Sequence, residues 1–555
     1  MSDQRINLKA VTLDEKGKKV LLTLLGGDTD SRCARPMFDH IVGLGANFLL
    51  IEEPYIDRDY SADFVAFYSS AFKSYPRHTQ RLHLFEKDAS GLFAEDFAQQ
   101  AATKSDKYGY LGFVVVRPIR QGPIGRTMLP FPDLGPKLIV RRASRSKVDT
   151  HLLATELEAK GAPFIQQDRR IGACAQAAIW MASRPIHERH RQSAWHSISQ
   201  ITKFATTPTD ADLSQSLPHG SSGLNPLHIT RALRAMGHQP LCDIFEHVAG
   251  GKIEASQSAD PAQLGDEADQ EKSIEVLLRY LDSGLPVILG LPPHGKEPDG
   301  HAITAVGYVE DPGSAIRAGS GYERFVRAIL VHDDQRGPYR LLPVTEDDIG
   351  HLPEDRLLRA QDEEVLTVEK VVSHIFVPLS QRVFLIADYA NIIAWDFLER
   401  QVEDLRAQLI ADIVAQVPDA GDTLNAFCDD FCAGRVIRRT YLTTAGRYRH
   451  YLARTAVPDD LKVKAISRTL PHFIYVTELI NEDARPDQNG ARPIIGHLVF
   501  NATSSTDPNA DLLFAHIPHL AFERNINAAS GCAADPDQMI TLVREHVPYA
   551  QRLRT

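Results

Sequence analysis

The sequence predicts an α+β protein with several domains, and three observations lead to this fold class. First, its 555 residues exceed the roughly 250–300 residues at which a single hydrophobic core usually stops growing. Second, strand-like apolar runs and amphipathic helical patterns both occur along the whole chain. Third, in the middle of the chain the helical patterns come first and the strand-like runs follow. We therefore expect three domains, at residues 1–150, 151–378 and 379–555.

The first predicted domain, residues 1–150, mixes strands and helices. Three short apolar runs are typical of strands, namely KKVLLTLLGG, ANFLLIEEPY and GYLGFVVVRPI. The aromatic-rich segment SADFVAFYSSAFKSY has helical spacing. Together they predict a compact α/β accessory domain.

The middle domain, residues 151–378, begins with a predicted helix, DTHLLATELEAKG, and a polar stretch, FIQQDRRIG. An apolar helix follows from Cys174. A further helix is delimited by its ends: Asn225 is a typical N-cap, Pro226 suits the first helical position and Gly237 ends the helix. Beyond the amphipathic helix SIEVLLRYLDSG come three strand-like runs, LPVILGL, HAITAVGYV and RAILVHDD.

The last domain, residues 379–555, is predicted to be an α+β accessory domain. It contains a long amphipathic helix, AWDFLERQVEDLRAQLIADIVAQV, and strand-like segments, FIYVTELI, GHLVFNAT and LLFAHIPHLAF. Six arginines fall between Arg435 and Arg454. A solvated amphipathic segment is the preferred interpretation of this patch, and a site for an anionic partner is the alternative.

Composition narrows the class of protein. A formal net charge of −11 argues against a nucleic-acid or acidic-membrane binder. The first residues lack the apolar core of a secretory signal, and no apolar stretch approaches the ~18 residues that span a bilayer. Six scattered cysteines do not form a disulfide framework, which favours a reducing compartment. We expect a cytoplasmic protein without a metal or other cofactor.

Cys174 is the candidate nucleophile. The first turn of a helix has unpaired N–H groups that favour negative charge, so a thiolate would be stabilised there. The apolar helix that follows, AQAAIWMAS, would hold the thiol rigidly in the core. Taken alone, however, a cysteine in such a sequence is more often a buried hydrophobic residue.

A base and an acid follow far along the chain. His301 begins an alternating strand, so a sheet would fix the direction of its imidazole. The next strand ends in Asp333 and Asp334. Asp333 shares a face with the apolar residues Ile329 and Val331, which makes it the expected partner of His301. Asp334 is expected to point the other way and is the alternative orienting acid.

This combination resembles the papain-like cysteine peptidases, most closely the bacterial branch of bacteriocin-leader (double-glycine) peptidases. The resemblance covers about residues 160–345 and implies a helix bundle packed on an antiparallel sheet. It matches Cys174 to the nucleophile, His301 to the base and Asp333 to the orienting acid. It also implies that Gln166 or Gln167 provides a side-chain N–H to the oxyanion, together with the backbone N–H of Cys174.

Two departures from the family pattern leave other functions open. The family has its glutamine six residues before the cysteine, where this chain has Asp168, and Ala175 stands where glycine or tryptophan is usual. A thiol peptidase acting on a peptide or protein is the main prediction. The alternatives are a transglutaminase-like acyl transferase and a non-catalytic binding scaffold. In each case the accessory domains would recruit a substrate or a protein partner.

Overall fold

The structure is a computed structural model of mixed helices and antiparallel sheets. Its three sheets agree with the predicted α+β class with several domains. The residues that it describes are 6–29, 31–93, 107–144, 146–168, 174–189, 194–207, 224–245, 266–293, 300–311, 313, 315–317, 319, 321–487, 491–503, 511–524, 538–543 and 548.

The first sheet has seven strands in the order β1-β2-β3-β4-β5-β8-β7, and every neighbouring pair is antiparallel. Its strands and helices are β1 (Asn7–Thr12), α1 (Glu15–Leu24), α2 (Ala34–Gly43), β2 (Phe48–Tyr55), α3 (Arg58–Ala66), β3 (Thr79–Phe85), β4 (Tyr110–Val116), β5 (Ile124–Leu129), β7 (Ser146–Leu152) and β8 (Thr155–Phe164). The intervening strand β6 (Ile139–Arg142) joins the second sheet.

Two predictions in this region are wrong. KKVLLTLLGG is largely helical, because Asp14 caps α1 by accepting hydrogen bonds from the backbone N–H groups of Lys16 and Gly17. The helix predicted at DTHLLATELEAKG is the hairpin of β7 and β8 instead. Exposed and buried residues alternate along the first half of β8, which is the two-residue period of a strand. As a result, the first sheet continues to Phe164.

The second sheet has the order β13-β12-β11-β10-β14-β9, and β6 also pairs with β11. It lies in a region that contains α4 (Cys174–Arg189), α5 (Ile198–Thr206), α6 (Pro226–Ala235), β9 (His238–Ile244), α7 (Asp266–Asp282), β10 (Val287–Leu291), β11 (His301–Glu310), β12 (Val326–Asp333), β13 (Gly337–Pro343), α8 (Val368–Val371) and β14 (His374–Ser380). The three strand-like runs predicted here are confirmed as β10, β11 and β12.

The capping signals of α6 are confirmed. Asn225 accepts a hydrogen bond from the backbone N–H of His228, Pro226 is the first helical residue, and Gly237 follows with a φ of +88°. A positive φ is accessible to glycine at little cost, so the helix ends there.

The third sheet is a meander of six antiparallel strands, β15 to β20. The region contains α9 (Ala387–Asp404), α10 (Ile410–Val414), α11 (Ala420–Cys432), β15 (Val436–Thr444), α12 (Ala445–Leu452), α13 (Asp459–Ser467), β16 (Phe473–Asn481), β17 (Ile494–Asn501), β18 (Leu512–Ile517), β19 (Leu520–Arg524) and β20 (Gln538–Leu542). The predicted C-terminal strands are confirmed as β16 to β19.

One arginine of the predicted basic patch is buried in a charge network between the second and third regions. Arg439 on β15 donates to both carboxylate oxygens of Asp282, at 2.5 and 2.7 Å, and to Glu478 at 3.1 Å. Such a buried arginine is paired with carboxylates and is not available to a partner.

The first region shares a hydrophobic core with the helices of the middle region. Leu21 of α1 and Met37 of α2 belong to the same buried cluster as Trp180 of α4, Leu233 of α6 and Phe376 of β14. The helix that begins with Cys174 is therefore packed by both regions. Within the described residues, the helices are too short or too polar to cross a bilayer.

Candidate active site

Cys174 is the first residue of α4, and the helix that it begins is held in the core. Trp180 is fully buried and donates from its indole N–H to Asp59 at 2.7 Å. The hydroxyl of Thr304 on β11 donates to the carbonyl of Ala178 at 3.1 Å, which ties the helix to the second sheet. Because only 8% of Cys174 is exposed, its thiol lies at the buried beginning of a fixed helix.

His301 is the first residue of β11 and pairs in register with Leu291 of β10. Its imidazole is buried, and Nε2 lies 3.1 Å from Oδ1 of Asp333. The contact is an ion pair without the alignment of a straight hydrogen bond. The charge of Cys174 also acts on this ring, which places the thiol in the neighbourhood of the imidazole. The structure therefore brings the predicted nucleophile, base and acid together.

The surroundings of His301 favour its protonated form. Burial alone would lower the pKa of the imidazole, but the negative charges of Asp333 and Cys174 outweigh it, so the pKa lies well above the ordinary value. An imidazolium beside a cysteine is the proton distribution that sustains a thiolate.

Asp333 is held by the turn that follows β12. Its Oδ1 accepts hydrogen bonds from the backbone N–H groups of Gln335, at 2.8 Å, and Arg336, at 3.1 Å. Its Oδ2 accepts from the Arg336 guanidinium at 2.9 Å. Burial opposes ionisation of this carboxyl, yet the charges of His301 and Arg336 together with these hydrogen bonds hold its pKa well below the ordinary value. Asp333 is therefore fixed in position as a carboxylate.

Gly337 completes this turn and explains the glycine in the strand–Asp–x–x–x–Gly pattern. Its φ is +102°, and a Cβ added there would lie 2.8 Å from the Cβ of Pro36 on α2. A side chain at this position would push α2 away from the turn, so the turn requires glycine.

Asp334 departs from the prediction that it points away from His301. Its Oδ1 lies 3.9 Å from Nε2 of His301, and its side chain is fully buried. Strict alternation fails here because the pairing of β12 with β13 shifts register between Val331 and Asp333. Burial, and then the charge of Asp333, raises the pKa of Asp334 to about 7 although His301 opposes the shift. Neither carboxyl oxygen has a hydrogen-bond partner among the described residues.

His301, Asp333 and Asp334 form a group that could also hold a metal ion, since one ligand-type atom from each lies within 4.8 Å of the other two. In the described part of the chain no fourth side chain of a ligating type joins this group. Structural zinc sites use four protein ligands and catalytic sites three plus a water. Here Asp333 is already paired with the Arg336 guanidinium, and the charge of Cys174 acts on the imidazole, so the surroundings favour an acid–imidazole–thiol arrangement.

The two candidate oxyanion glutamines have different surroundings. Gln166 is buried, donates from Nε2 to the hydroxyl of Ser31 at 2.8 Å, and accepts from the backbone N–H of Ile124 at 3.2 Å. Gln167 is half-buried and lines a pocket that also contains Asp334 and Gln335. Gln166 lines this pocket too, but its side-chain amide is engaged in the two hydrogen bonds given above, so Gln167 is the better placed of the two to meet a ligand.

Asp168 occupies the position where the resembled family has its glutamine. The side chain of Asp168 accepts a hydrogen bond from the hydroxyl of Tyr68 at 2.5 Å. It is buried, which leaves Gln166 and Gln167 as the amide candidates. Residues 169–173, between these glutamines and Cys174, lie outside the described residues.

Several residues that support the site were missed by the sequence analysis. Gln335 and Arg336 come two and three residues after Asp333, at the spacing at which an aspartate side chain accepts hydrogen bonds from the backbone N–H groups of its own turn. These two contacts of Asp333 therefore had a local signal in the sequence. Ser31, Tyr68 and Arg117 come from the first region, and Arg117 donates to the carbonyl of Gln166 at 2.6 Å. These contacts join residues far apart in the chain, and no local pattern marks them.

Comparison of the chain with protein-family models, with curated proteins and with solved structures finds no match.

Proposed function

We propose that this chain is a papain-like cysteine peptidase that cleaves a peptide or protein substrate through a thioacyl-enzyme intermediate. The observation that carries the proposal is the juxtaposition of Cys174, at the start of a buried helix, with the imidazole of His301, whose Nε2 lies 3.1 Å from Asp333. The raised pKa of His301 supports it, because an imidazolium can both balance a thiolate and protonate a leaving amine.

In the acylation step, the thiolate of Cys174 attacks the carbonyl carbon of the scissile peptide bond, and the π electrons move onto the oxygen. The backbone N–H of Cys174 and the side-chain amide of Gln167 donate to this oxyanion. The intermediate collapses, the C–N bond breaks, and the amine leaves with the proton of the His301 imidazolium. Asp333 keeps the ring oriented throughout.

In the deacylation step, neutral His301 takes a proton from a water molecule while the oxygen attacks the thioester. The C–S bond breaks, the acid product leaves, and the thiolate–imidazolium pair is restored. Every residue that lines the pocket beside His301 is polar, and this environment favours water as the acceptor. An amine acceptor would make the same machinery a transferase, and product analysis with and without added amine distinguishes the two.

The proposal is tested by alkylation of the folded protein with iodoacetamide, followed by mapping of the labelled thiols. Cys432 is exposed and serves as the internal reference. We expect Cys174 to react faster than Cys432 at neutral pH even though it is buried, and to be the residue whose labelling abolishes peptide cleavage. A chelator is expected to leave the labelling unchanged, since no step uses a metal.

The matched variants are His301→Ala and His332→Asn. Both histidines are buried on neighbouring strands of the second sheet, but His332 pairs with Thr304, and its ring contacts the carbonyl of Pro163 and the ring of Tyr339. His301→Ala is expected to slow labelling of Cys174 at least about tenfold, and His332→Asn to leave it unchanged. Equal labelling of Cys174 and Cys432 across neutral pH, with no effect of His301→Ala, contradicts the proposal and favours a non-catalytic scaffold.

A further inference from the structure

A polar pocket of about 420 Å³ adjoins the candidate active site. It touches the site through Gln335, whose Nε2 lies 3.4 Å from Nδ1 of His301, and through Asp334, which lies 3.9 Å from Nε2 of the same ring. We call it the arginine pocket. The residues that line it are Asp28, Thr29, Ser31, Arg32, Arg120, Gln121, Gln166, Gln167, Asp334 and Gln335.

The lining excludes an apolar side chain as the natural occupant, since all ten of these residues are polar. A site for an aliphatic or aromatic side chain would present apolar groups, as most small-molecule pockets do. A group that enters the arginine pocket therefore has to form hydrogen bonds or ion pairs with the residues that line it.

Two exposed arginines line the arginine pocket. Arg32 precedes α2, Arg120 lies in the turn between β4 and β5, and both side chains are exposed. Neither has an ion-pair or hydrogen-bond partner among the described residues. Asp28 is the one exposed acid in the lining, so two positive charges face a single exposed negative charge. Planar guanidinium groups match carboxylates in geometry as well as in charge.

A second, independent observation points to a ligand. Asp334 is fully buried and lines the arginine pocket, and apart from the His301 ring at 3.9 Å its carboxyl oxygens have no hydrogen-bond partner among the described residues. A buried polar group without a hydrogen-bond partner costs about 1–3 kcal/mol, and in a native structure it calls for an explanation such as a catalytic role or a bound molecule. A peptide that enters the pocket brings backbone N–H groups, and Asp334 can accept a hydrogen bond from one of them.

We propose that the arginine pocket binds a carboxylate of the peptide substrate through Arg32 and Arg120, while Asp334 accepts a hydrogen bond from the substrate backbone next to the scissile bond. This inference rests on the proposed peptidase function and adds a substrate class, acidic peptides. The first region of the chain thereby supplies the specificity, since Arg32 and Arg120 both belong to it.

The test compares matched peptides. A mixture of peptides is incubated with the full-length protein and the cleavage sites are mapped; the best substrate is then remade with each glutamate replaced by glutamine, which keeps size and removes charge. Each peptide is made with a free and with an amidated C-terminus. We expect at least one glutamate to raise kcat/KM about tenfold or more over glutamine. If amidation of the peptide C-terminus lowers cleavage and replacement of glutamate does not, the bound carboxylate is the C-terminal one of the peptide.

The same peptides are measured with Arg32→Gln, Arg120→Gln and the double variant, in which the preference is expected to disappear. Both arginines are exposed, so these changes leave the core intact. Arg35→Gln is the matched control, because Arg35 is an exposed arginine of α2 that is paired with Asp39 outside the arginine pocket. Iodoacetamide labelling of Cys174 is expected to stay unchanged in all of these variants.

The outcomes separate the two proposals. If Cys174 labels rapidly and peptides are cleaved, but acidic and amide peptides react equally, the arginine pocket has no role in carboxylate recognition and the peptidase proposal stands. A preference for glutamate that survives in the double variant likewise overturns the pocket assignment. If Cys174 is inert and no peptide is cleaved, both proposals are wrong.

Discussion

The substitution Asp334→Asn is expected to stabilise the protein at neutral and basic pH. The structure buries the Asp334 carboxyl completely, beside the carboxylate of Asp333 and without hydrogen-bond partners among the described residues. Its pKa is raised from 3.8 to about 7, first by burial and second by the charge of Asp333. Asparagine has nearly the same shape and carries no charge at any pH.

The sign and size of the effect follow from linkage. Between pH 4 and pH 7 the folded protein keeps a proton on Asp334 that the unfolded chain has released, so stability falls as the pH rises through this range. One pKa unit corresponds to about 1.4 kcal/mol, and the interval from 3.8 to about 7 therefore amounts to at most about 4 kcal/mol. The stability gained by Asp334→Asn should be smallest near pH 4, grow up to pH 7 and then level off.

The measurement is denaturant unfolding followed by tryptophan fluorescence at several pH values, since Trp180 lies in the buried helix that carries Cys174. The control is Asp28→Asn, which changes an exposed acid of the same pocket. A difference between Asp334→Asn and the unmodified protein that does not change between pH 4 and pH 8, or an equal pH-dependent effect of Asp28→Asn, would refute the reasoning.

Three further predictions concern groups that hold the site or the regions together. Arg439→Met leaves two buried carboxylates without their cation and should cost about 3–5 kcal/mol, seen as a lower melting temperature. Tyr339→Phe removes the hydroxyl that joins a backbone carbonyl of β5 and a backbone N–H of β8, at a cost of about 1–3 kcal/mol in denaturant unfolding. Gln167→Ala should lower the cleavage rate about 10²- to 10³-fold at unchanged melting temperature, whereas Gln166→Ala, which breaks two structural hydrogen bonds, should lower the melting temperature. Equal effects of the two glutamine substitutions on the melting temperature would contradict the different roles assigned to them.

Much of the second sheet could be predicted, because its signals are local. The alternation after His301 and the apolar run before Asp333 gave β11 and β12, and Asn225, Pro226 and Gly237 bounded α6. A short apolar run fits both the helical and the strand period, and for this reason the run in α1 was predicted to be a strand. The N-cap at Asp14 makes it a helix. The turn of the β7–β8 hairpin contains Leu153 at a φ of +52°, a conformation that is more common for glycine. Because the position holds leucine, the residue type did not indicate a turn.

The surroundings of the site were less predictable, because they depend on pairings between distant residues. Ser31 meets Gln166 and Tyr68 meets Asp168 only after the first region has packed against α4. The direction of Asp334 depends on a register shift in the sheet, which residue alternation does not reveal. Neither Arg32 nor Arg120 lies in a pattern that signals binding, and the fold alone brings them to one pocket.

The order of the three central residues along the chain has a consequence for synthesis. A ribosome makes Cys174 and its helix well before it makes the strands that begin with His301 and end with Asp333. Under the proposed function, a growing chain carries the thiol without its base until β11 and β12 have both left the ribosome and paired. Proteolytic activity would therefore begin only after translation has passed the second sheet, so partly made chains cannot attack one another.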